Sequence, residues 1–355
     1  MNAPIHPVRT LSVRVADLSD PGERARIDGF VTEHPDGTLF HRPQWTRAVE
    51  RGCRQRAHYL VAERGGALAG CLPLTEIRSP LFGNAFVSAG FGTGGGIMGE
   101  GDVGAALAEA GWALAQEQGC SSLELRGGPV PERWQVRPHV YSVFTRDLPD
   151  NGDTLLKELP RRQRAEVRKG RELGLTVSIG RDEAHRAAHF RAYSESVRNL
   201  GTPVFPKSLF GAALDEFGDE AEILVAWHEQ RPIATMLSFT FKGVIHPYWG
   251  GGIRDARTLR GNDIAWFELM RHAIERGIHR ADFGRSKVDT GPWNRKRIWA
   301  FDETPLVYAV RTADGTAPRE VNPLNPRYRL KIAAWQRLPL WLANRVGPFI
   351  ARGLG

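Results

Sequence analysis

The stretch Tyr59–Leu74 (YLVAERGGALAGCLPL) decides the fold, because a second version of it occurs at Ile223–Phe239 (ILVAWHEQRPIATMLSF). Each version predicts two apolar strands joined by a tight turn, with Gly65 and Gly66 forming the turn in the first. Ile223 follows Tyr59 by 164 residues. A period of this length is too long for a solenoid repeat and indicates a duplicated domain.

The sequence downstream of each hairpin strengthens the duplication. A glycine run, an amphipathic helix and a strand follow in both cases, with glycine runs at 94–96 and 250–252. We therefore predict an α/β fold with mixed sheets, built from two similar units. The expected boundaries are residues 1–150 for the first unit, 151–322 for the second and 323–355 for a helical tail, with a turn-rich linker at 149–153.

Composition places the chain among soluble globular proteins. It has 355 residues, a net charge of +8, 41% hydrophobic and 25% charged residues. Three cysteines without pair spacing indicate a reducing compartment, and the first eleven residues lack the apolar core of a secretory signal. We expect a cytoplasmic protein. Of the basic residues 41 are Arg and 7 are Lys, which fits either codon bias or a phosphate-bearing partner.

Three segments match known functional motifs, but the sequence around each one excludes the function that the motif usually indicates. Gly90–Gly95 matches G-x-G-x-x-G, but residues 97–101 separate its glycines from the next helix, so that helix could not hold a pyrophosphate. Asp282-Phe283-Gly284 lacks the other signatures of a kinase. His185 and His189 share a helix face without the glutamate of a zinc protease. We expect no metal site and no specific DNA binding.

Two polar segments open the second unit. Arg161, Arg164, Arg168 and Arg171 fall on one face of a helix predicted from Pro160 to Gly174. Such a stripe is typical of a solvated face and equally of a groove for a polyanion. Further along, Arg198, Asn199 and Thr202 gather in a turn, where a substrate-facing loop would use such donors.

The end of the last strand in the duplicated block is the richest in ionisable groups. Asp282, Arg285, Ser286, Lys287, Trp293, Lys296 and Trp299 lie within eighteen residues, whereas the equivalent stretch 123–128 of the first unit has no lysine after it. Functional residues gather at the C-terminal ends of strands in α/β folds. We therefore expect the second unit to carry the chemistry and the first to shape one wall of the cleft.

These residues resemble the signature of a known family. Asp282–Lys287 followed by Trp293 and Lys296, the basic helix, Ser196–Phe205 and the tail motif Asn322–Leu330 are together similar to the FemAB-like branch of the GNAT acyltransferases, whose members commonly have tyrosine at the position of Trp293. The similarity is strongest to FemAB-related proteins that accompany PEP-CTERM/exosortase and exopolysaccharide loci. The resemblance implies two tandem GNAT-like domains and transfer of an acyl or aminoacyl group to an amine.

The resemblance also implies roles for individual residues. Asp282 is expected as a base or amine-orienting carboxylate, although a structural ion pair with Arg285 is equally open. Lys287 and Lys296 are expected to stabilise an oxyanion or bind substrate phosphate. Donor phosphates are assigned to Arg257, Gly261 and Asn262, with Asn262 as helix N-cap. The expected substrate-binding residues are Arg161, Arg164, Arg168, Arg198, Asn199, Thr202, Tyr248, Arg285, Ser286 and Trp293.

Three functions follow as hypotheses. The first is an N-acyltransferase for a cell-envelope or exopolysaccharide-related amine, small or lipid-linked, with acyl-CoA or another acyl-thioester as co-substrate and no permanently bound cofactor. The second is a non-catalytic accessory protein that binds an anionic lipid-linked or polymeric ligand. The third is a peptidyltransferase that uses aminoacyl-tRNA. The tail mixes Trp and Phe with Arg and Lys over two short helices, which favours packing over peripheral contact with the inner membrane.

Overall fold

The fold is seen in a computed structural model, which describes residues 10–315 and 329–355. It is one mixed sheet of twelve strands with helices packed on both faces. The strands are β1 (Leu11–Val15), β2 (Arg56–Arg64), β3 (Ala67–Ile77), β4 (Ala85–Ser88), β5 (Ser122–Arg126), β6 (Gln135–Asp147), β7 (Thr176–Gly180), β8 (Ala221–His228), β9 (Arg231–Phe241), β10 (Val244–Gly252), β11 (Arg280–Lys287) and β12 (Asp302–Thr312).

The helices fall mainly between these strands. They are α1 (Pro21–Glu33), α2 (Pro43–Cys53), α3 (Gly101–Glu117), α4 (Gly152–Glu158), α5 (Arg161–Glu172), α6 (Glu183–Asn199), α7 (Lys207–Phe217), α8 (Gly261–Glu275), α9 (Gly291–Ile298), α10 (Arg329–Arg337) and α11 (Leu340–Ala351). Within the described ranges, every helix is too short or too polar to cross a membrane.

The two halves of the chain have the same order of elements, as the sequence duplication predicts. Each begins with a strand and two helices, continues with three strands and a helix, and ends with two strands. The second half is preceded by α4 and α5 and also contains α9, which the first half lacks. These additional helices all border the second half, where the polar residues gather.

The last strand of each half pairs with the other half. The sheet order is β1-β2-β3-β4-β5-β12-β6-β11-β10-β9-β8-β7. β6 pairs antiparallel with β11, and β12 pairs antiparallel with β5 as well as with β6. The chain thus crosses between the halves at β6 and again at β12, and the unit boundaries given above stay a prediction.

The repeated hairpins form for the reasons that the sequence indicates. Gly65 and Gly66 adopt φ values of 60° and 84° at the β2–β3 turn, a region that glycine enters without steric cost. At the β8–β9 turn the corresponding position is Glu229, with φ 56°. The strands alternate between cores, since Ile223 and Val225 pack on the α6–α7 side whereas Leu224 and Ala226 pack on the α8 side.

Each half contains one short parallel pair of strands, and the two pairs end differently. β10 and β11 are paired only at Val244–Arg280 and Ile245–Ala281, after which they diverge and leave a gap. β4 and β5 are likewise paired at two positions. There, however, the chain closes the gap, because Gly96 packs so tightly on the backbone of Gly127 that no side chain would fit between them. An open gap therefore exists only in the second half of the described sheet.

Several local predictions are confirmed and others are wrong. The sequence also predicts helices over about 183–199 and 206–217 and two tail helices separated by Pro339. α6, α7, α10 and α11 confirm these predictions, while residues 322–328 of the tail motif lie outside the described residues. The segment 286–300, rich in Trp, Lys and Arg, is predicted as a loop, but it contains α9. The sequence predicts Asp153 as the N-cap of the first helix of the second unit, but Asn151 caps α4, since its side chain accepts the hydrogen bond from the Thr154 amide.

Candidate active site

A cavity of about 1240 Å³ opens in the gap between β10 and β11. Its walls are formed by α5, α6, the start of α8, α9 and Gln336 of α10. Within residues 10–315 and 329–355, every residue that lines it comes from the second half of the chain or from the tail. A pocket of several hundred Å³ or more is large enough for a cofactor-sized ligand.

Three glycines at the end of β10 form one wall of the cavity. A Cβ atom at Gly251 would overlap Ser196 of α6, and one at Gly252 would lie 2.8 Å from Asn262 Oδ1. Because β11 pairs with β10 only as far as Ile245, the edge of β10 beyond that residue faces the cavity rather than another strand. This backbone edge can accept an extended ligand in the manner of an added strand.

The N-terminus of α8 opens on the same cavity. Arg260 precedes the helix in the left-handed conformation, with φ 62°, and it is the N-cap residue. The prediction that Asn262 caps α8 is therefore wrong, because Asn262 lies inside the first turn. Asn262 and Arg257 both line the cavity, whereas Gly261 packs beneath it against Ile233. A helix N-terminus attracts anions through its free amides.

A bulge in β11 shapes the floor of the gap. The register with β6 shifts between Asp282 and Arg285, and Gly284 adopts φ 63°. Asp282 accepts a hydrogen bond of 2.8 Å from the Gly284 amide and lies 3.6 Å from His246 Nδ1. Burial opposes ionisation, but His246 and this amide keep the pKa of Asp282 below its ordinary value. The expected ion pair of Asp282 with Arg285 is absent among the described contacts, since His246 takes that place.

Lys296 reaches this bulge from α9. It is buried, with 7% of its surface exposed, and its Nζ donates to the carbonyl oxygens of Phe283 and, at 3.0 Å, of Gly284. Burial lowers the pKa of Lys296 to about 7, because a low-dielectric environment disfavours the charged ammonium. Lys296 lines the cavity, whereas Asp282 lies behind its wall.

Arg285, Ser286 and Tyr248 line the cavity on the side of the first half. Tyr248 donates a hydrogen bond to the carbonyl oxygen of Phe91, and burial raises the pKa of Tyr248 to about 12. Arg285 donates to the Tyr308 hydroxyl. The first half therefore supports the lining residue Tyr248 through Phe91 but contributes no residue to the described lining, so the expectation that it forms one wall of the cleft is wrong.

The arginine stripe of α5 does not reach the cavity. Gln163, Val167 and Gly170 form the buried face of α5, and Gly170 packs against Ile264 of α8. Arg161, Arg164 and Arg168 are therefore turned about a third of a turn away from this face. Arg162 and Glu166, on the other side of the buried face, line the cavity instead.

Of the remaining predicted site residues, some line the cavity and others do not. Arg198 and Asn199 line the rim, where they hold α10 through hydrogen bonds with Gln336, whereas Thr202 does not. Trp293 faces away from the cavity and donates to Glu303. Lys287 is also absent from the described lining of the cavity.

Several residues that line the cavity could not be predicted from the sequence. Arg295 pairs with Asp263 at 2.8 Å and lies 5.0 Å from the Trp266 ring, and Arg260 pairs with Glu166. The only indication in the sequence that Arg295 lines the cavity is its position next to Lys296, a predicted site residue. Among the residues described here, no three His, Cys, Asp or Glu side chains are grouped as metal ligands would be.

Comparison with known proteins relates this site to a domain family. Residues 159–293 match the family profile described as an acetyltransferase (GNAT) domain. This segment runs from α5 into α9 and includes most of the cavity. No curated protein sequence matches the chain.

Solved structures extend the similarity to both halves. The chain is similar to FemX, with a TM-score of 0.61, 14% identity, and coverage of 86% of this chain and 98% of that one. It is similar to a tandem GNAT protein from the clavulanic acid biosynthesis pathway (TM-score 0.54, 10% identity, 87% and 100% coverage). It is also similar to L-PGS from Bacillus licheniformis (TM-score 0.52, 12% identity, 90% and 98% coverage). The fold is thus an α/β fold of two tandem GNAT-like units.

Proposed function

We propose that the protein is a FemAB-type N-acyltransferase, which moves an acyl group from a thioester to the amine of a cell-envelope or exopolysaccharide-related acceptor. The observation that supports this most directly is the open gap beside β10. It lies within the segment that matches the acetyltransferase domain, and the first half closes its own equivalent gap. Association with a PEP-CTERM/exosortase system belongs to the same proposal.

Acyl-CoA is the proposed donor. Its extended arm would add to the free edge of β10 at Gly250–Gly252, and its phosphates would lie at the N-terminus of α8. Arg257 is exposed beside this terminus and has no acidic partner in the described parts of the chain. It is therefore free to pair with a phosphate group.

The chemistry needs alignment and charge stabilisation rather than covalent catalysis. The acceptor nitrogen attacks the thioester carbon, a C–N bond forms, the C–S bond breaks, and the thiolate leaves as the amine loses a proton. Lys296 Nζ lies 3.4 Å from the Arg285 carbonyl oxygen, its longest hydrogen bond. We infer that this donor turns to the oxyanion during transfer. Asp282 holds the bulge in place, and its role as a base stays a prediction.

Ligand binding tests the proposal. Thermal unfolding of the full chain would be followed with acetyl-CoA, longer acyl-CoAs, an acyl carrier protein and tRNA. We expect an acyl-CoA to raise the unfolding temperature, and Gly251→Val to abolish the increase because its side chain would collide with Ser196 and distort the wall of the cavity. If none of the donors raises it, the non-catalytic accessory function is favoured and acyl transfer is contradicted.

A second candidate is aminoacyl transfer from tRNA. The observation in its favour is the outward stripe on α5, where Arg161 and Arg168 are exposed and have no acidic partner among the described residues. Charges of this kind bind phosphate backbones in a salt-dependent way. If tRNA alone raises the unfolding temperature, and Arg161→Gln with Arg168→Gln removes the effect, tRNA replaces acyl-CoA as donor.

We also propose that the tail contacts the inner membrane surface. Trp341 and Phe349 of α11 are 69% and 66% exposed. Residues 321–355 contain six Arg or Lys and no Asp or Glu. Exposed aromatic rings beside basic side chains are typical of interfacial helices. We expect co-sedimentation with anionic vesicles that Trp341→Ala with Phe349→Ala reduces, and equal binding by both proteins would exclude this contact.

A further inference from the structure

Arg285 occupies an unusual position at the junction of the two halves. Its guanidinium carbon lies 4.8 Å from the ring centre of Tyr141 on β6 and 5.8 Å from that of Tyr308 on β12. The Tyr308 hydroxyl accepts a hydrogen bond from Nη1. The bulge at Gly284 turns this side chain toward the junction, and Arg285 also lines the cavity. A half-buried cation is therefore presented to any molecule in the gap.

This cation has no acidic partner in the described parts of the chain. Its nearest polar neighbours are the hydroxyl groups of Tyr308, Tyr141 and Tyr248. The charge of Arg285 also helps to lower the pKa of Glu124, but that carboxylate is paired with Arg126. The closest comparable arginine, Arg126 on β5, already holds Glu124 at 2.9 Å and the Gly355 carbonyl oxygen at 2.8 Å. Partial removal of a guanidinium from water without a counter-ion is unfavourable, so a position of this kind suits an anion from outside.

The other arginines of the cavity underline the contrast. Arg295 and Arg260 are partly buried, and each is paired with a carboxylate, Asp263 and Glu166 respectively. Arg254 and Arg257 are exposed, so water solvates their charges. Arg198 is half-buried like Arg285 and also lacks a carboxylate, but it donates to the Gln336 carbonyl oxygen at the rim. Arg285 instead lies beside the bulge of β11, next to Lys296.

Arg285 is also next to the proposed reaction centre. Lys296 Nζ contacts the backbone carbonyl of Arg285 itself, at 3.4 Å. Since this carbonyl and the guanidinium are the two ends of one residue, an anion held by the guanidinium would lie about one arginine side chain away from the ammonium of Lys296. This arrangement fits a short acceptor that carries both an amine and an anion.

We propose that Arg285 is an anion subsite of this cavity, and that the acceptor amine carries a carboxylate or phosphate group that pairs with it. The planar guanidinium fork matches the oxygens of either group bidentately. The term acceptor rests on the function proposed above, whereas anion binding at Arg285 does not depend on it.

The test compares matched pairs of probes by titration calorimetry on the full chain. Ethanolamine is paired with O-phosphoethanolamine, and glycinamide with glycine, so that each pair differs in the anionic group. We expect the wild-type protein to bind at least one anionic probe and neither neutral probe. Which anionic probe binds distinguishes phosphate from carboxylate.

Variants assign the binding to Arg285. Charge-assisted hydrogen bonds contribute about 1.5–3 kcal/mol, so Arg285→Gln is expected to weaken binding of the anionic probe roughly 10- to 100-fold. Arg285→Met is a second variant, because an apolar chain suits the space between Tyr141 and Tyr308 if the glutamine protein fails to fold. Arg64→Gln is the matched control, since Arg64 pairs with Asp102 on the surface of the first half.

Two results would overturn the subsite: unchanged binding of the anionic probe by a folded Arg285 variant, or no binding of either anionic probe by the wild-type protein. Titration with acyl-CoA is carried out in parallel and is expected to be unaffected by Arg285→Gln. If the wild-type protein does not bind acyl-CoA, the proposed acyl-CoA-dependent transferase is contradicted, whereas the conclusion on anion binding at Arg285 is unaffected.

Discussion

The ammonium of Lys296 lies 3.0 Å from the carbonyl oxygen of Gly284. This hydrogen bond joins α9, an element that the first half lacks, to the bulge at the diverging end of β11. Gly284 is left-handed, with φ 63°, so the bulge turns its carbonyl group toward the lysine. The pair thus couples the protonation of one buried amine to the shape of the gap.

The pH dependence of acyl transfer should report this lysine. Because the pKa of Lys296 is about 7, its ammonium is lost as the pH rises through neutrality, and an oxyanion would lose its stabilising charge. We expect the rate constant of the bound complex to fall above about pH 7. In Lys296→Arg the guanidinium stays charged, so any remaining activity should not fall there. A wild-type rate that increases through this range would indicate a neutral lysine acting as base.

Stability should change with pH for the same reason. The pKa of Lys296 is lowered from 10.5 to about 7 in the folded protein. Between these values the unfolded chain binds a proton that the folded protein does not, so the free energy of unfolding rises with pH by up to about 1.4 kcal/mol per unit. Urea unfolding at pH 7 and pH 9 measures this. Lys296→Met should lose that part of the slope, and an unchanged slope would mean that another group titrates.

A side chain at position 251 should weaken donor binding because it would collide with Ser196 of α6. In Gly251→Ala the new methyl group would overlap the Ser196 hydroxyl. Overpacking of this kind costs about 1–3 kcal/mol, so we expect roughly tenfold weaker donor binding by calorimetry. Ser196→Ala removes the hydroxyl and should restore part of the affinity in the double variant. Additive effects of the two substitutions would show that the contact is not the cause.

Gly284 should matter for its backbone rather than for space. A Cβ atom there would meet nothing closer than Thr93 Oγ1 at 3.6 Å, but φ is 63°. We expect Gly284→Ala to lower the free energy of unfolding by about 1–2 kcal/mol. Gly291→Ala is the control, because it begins α9 with open space around it and should be neutral. If both variants unfold at the same urea concentration, the positive φ at Gly284 does not cause backbone strain in the alanine variant.

Two buried histidines should make the protein sensitive to acid. Burial lowers the pKa of His41 to about 4 and of His189 to about 3. As the pH falls below about 6.5 the unfolded chain takes up protons that these rings do not, and each ring then removes about 1.4 kcal/mol of stability per pH unit. His189→Gln should flatten the decline between pH 6.5 and pH 4. An equally steep decline in this variant would exclude His189 as a source.

Much of the scaffold could be predicted because its signals are local. The hairpin at Ile223–Phe239 is specified by apolar strands around a short turn, and α6 by an acidic N-cap at Asp182. The exchange of β6 and β12 could not be predicted in this way. Strand pairing depends on contacts between residues far apart in sequence, and neither strand carries a local mark of its partner.

The site was predicted in part for a similar physical reason. Arg285, Ser286 and Lys296 reach the cavity because they lie at a strand end and on the helix that follows. The arginine stripe of α5 was misplaced, since a helix face is set by the residues that pack, here Val167 and Gly170, and not by the charged ones. The N-cap of α8 was misjudged because Arg260, rather than a typical capping residue, adopts the left-handed conformation.

The pairing of β6 with β11 and of β12 with β5 makes the chain the covalent counterpart of a domain-swapped dimer. A linker between the halves keeps the exchanged strands at high effective concentration, so the exchange does not depend on how much protein is present. A half cut from its neighbour would lose a central strand and expose the edge of another. The duplicated units therefore share one folding equilibrium, and a mutation that loosens the first half also weakens the wall of the cavity in the second.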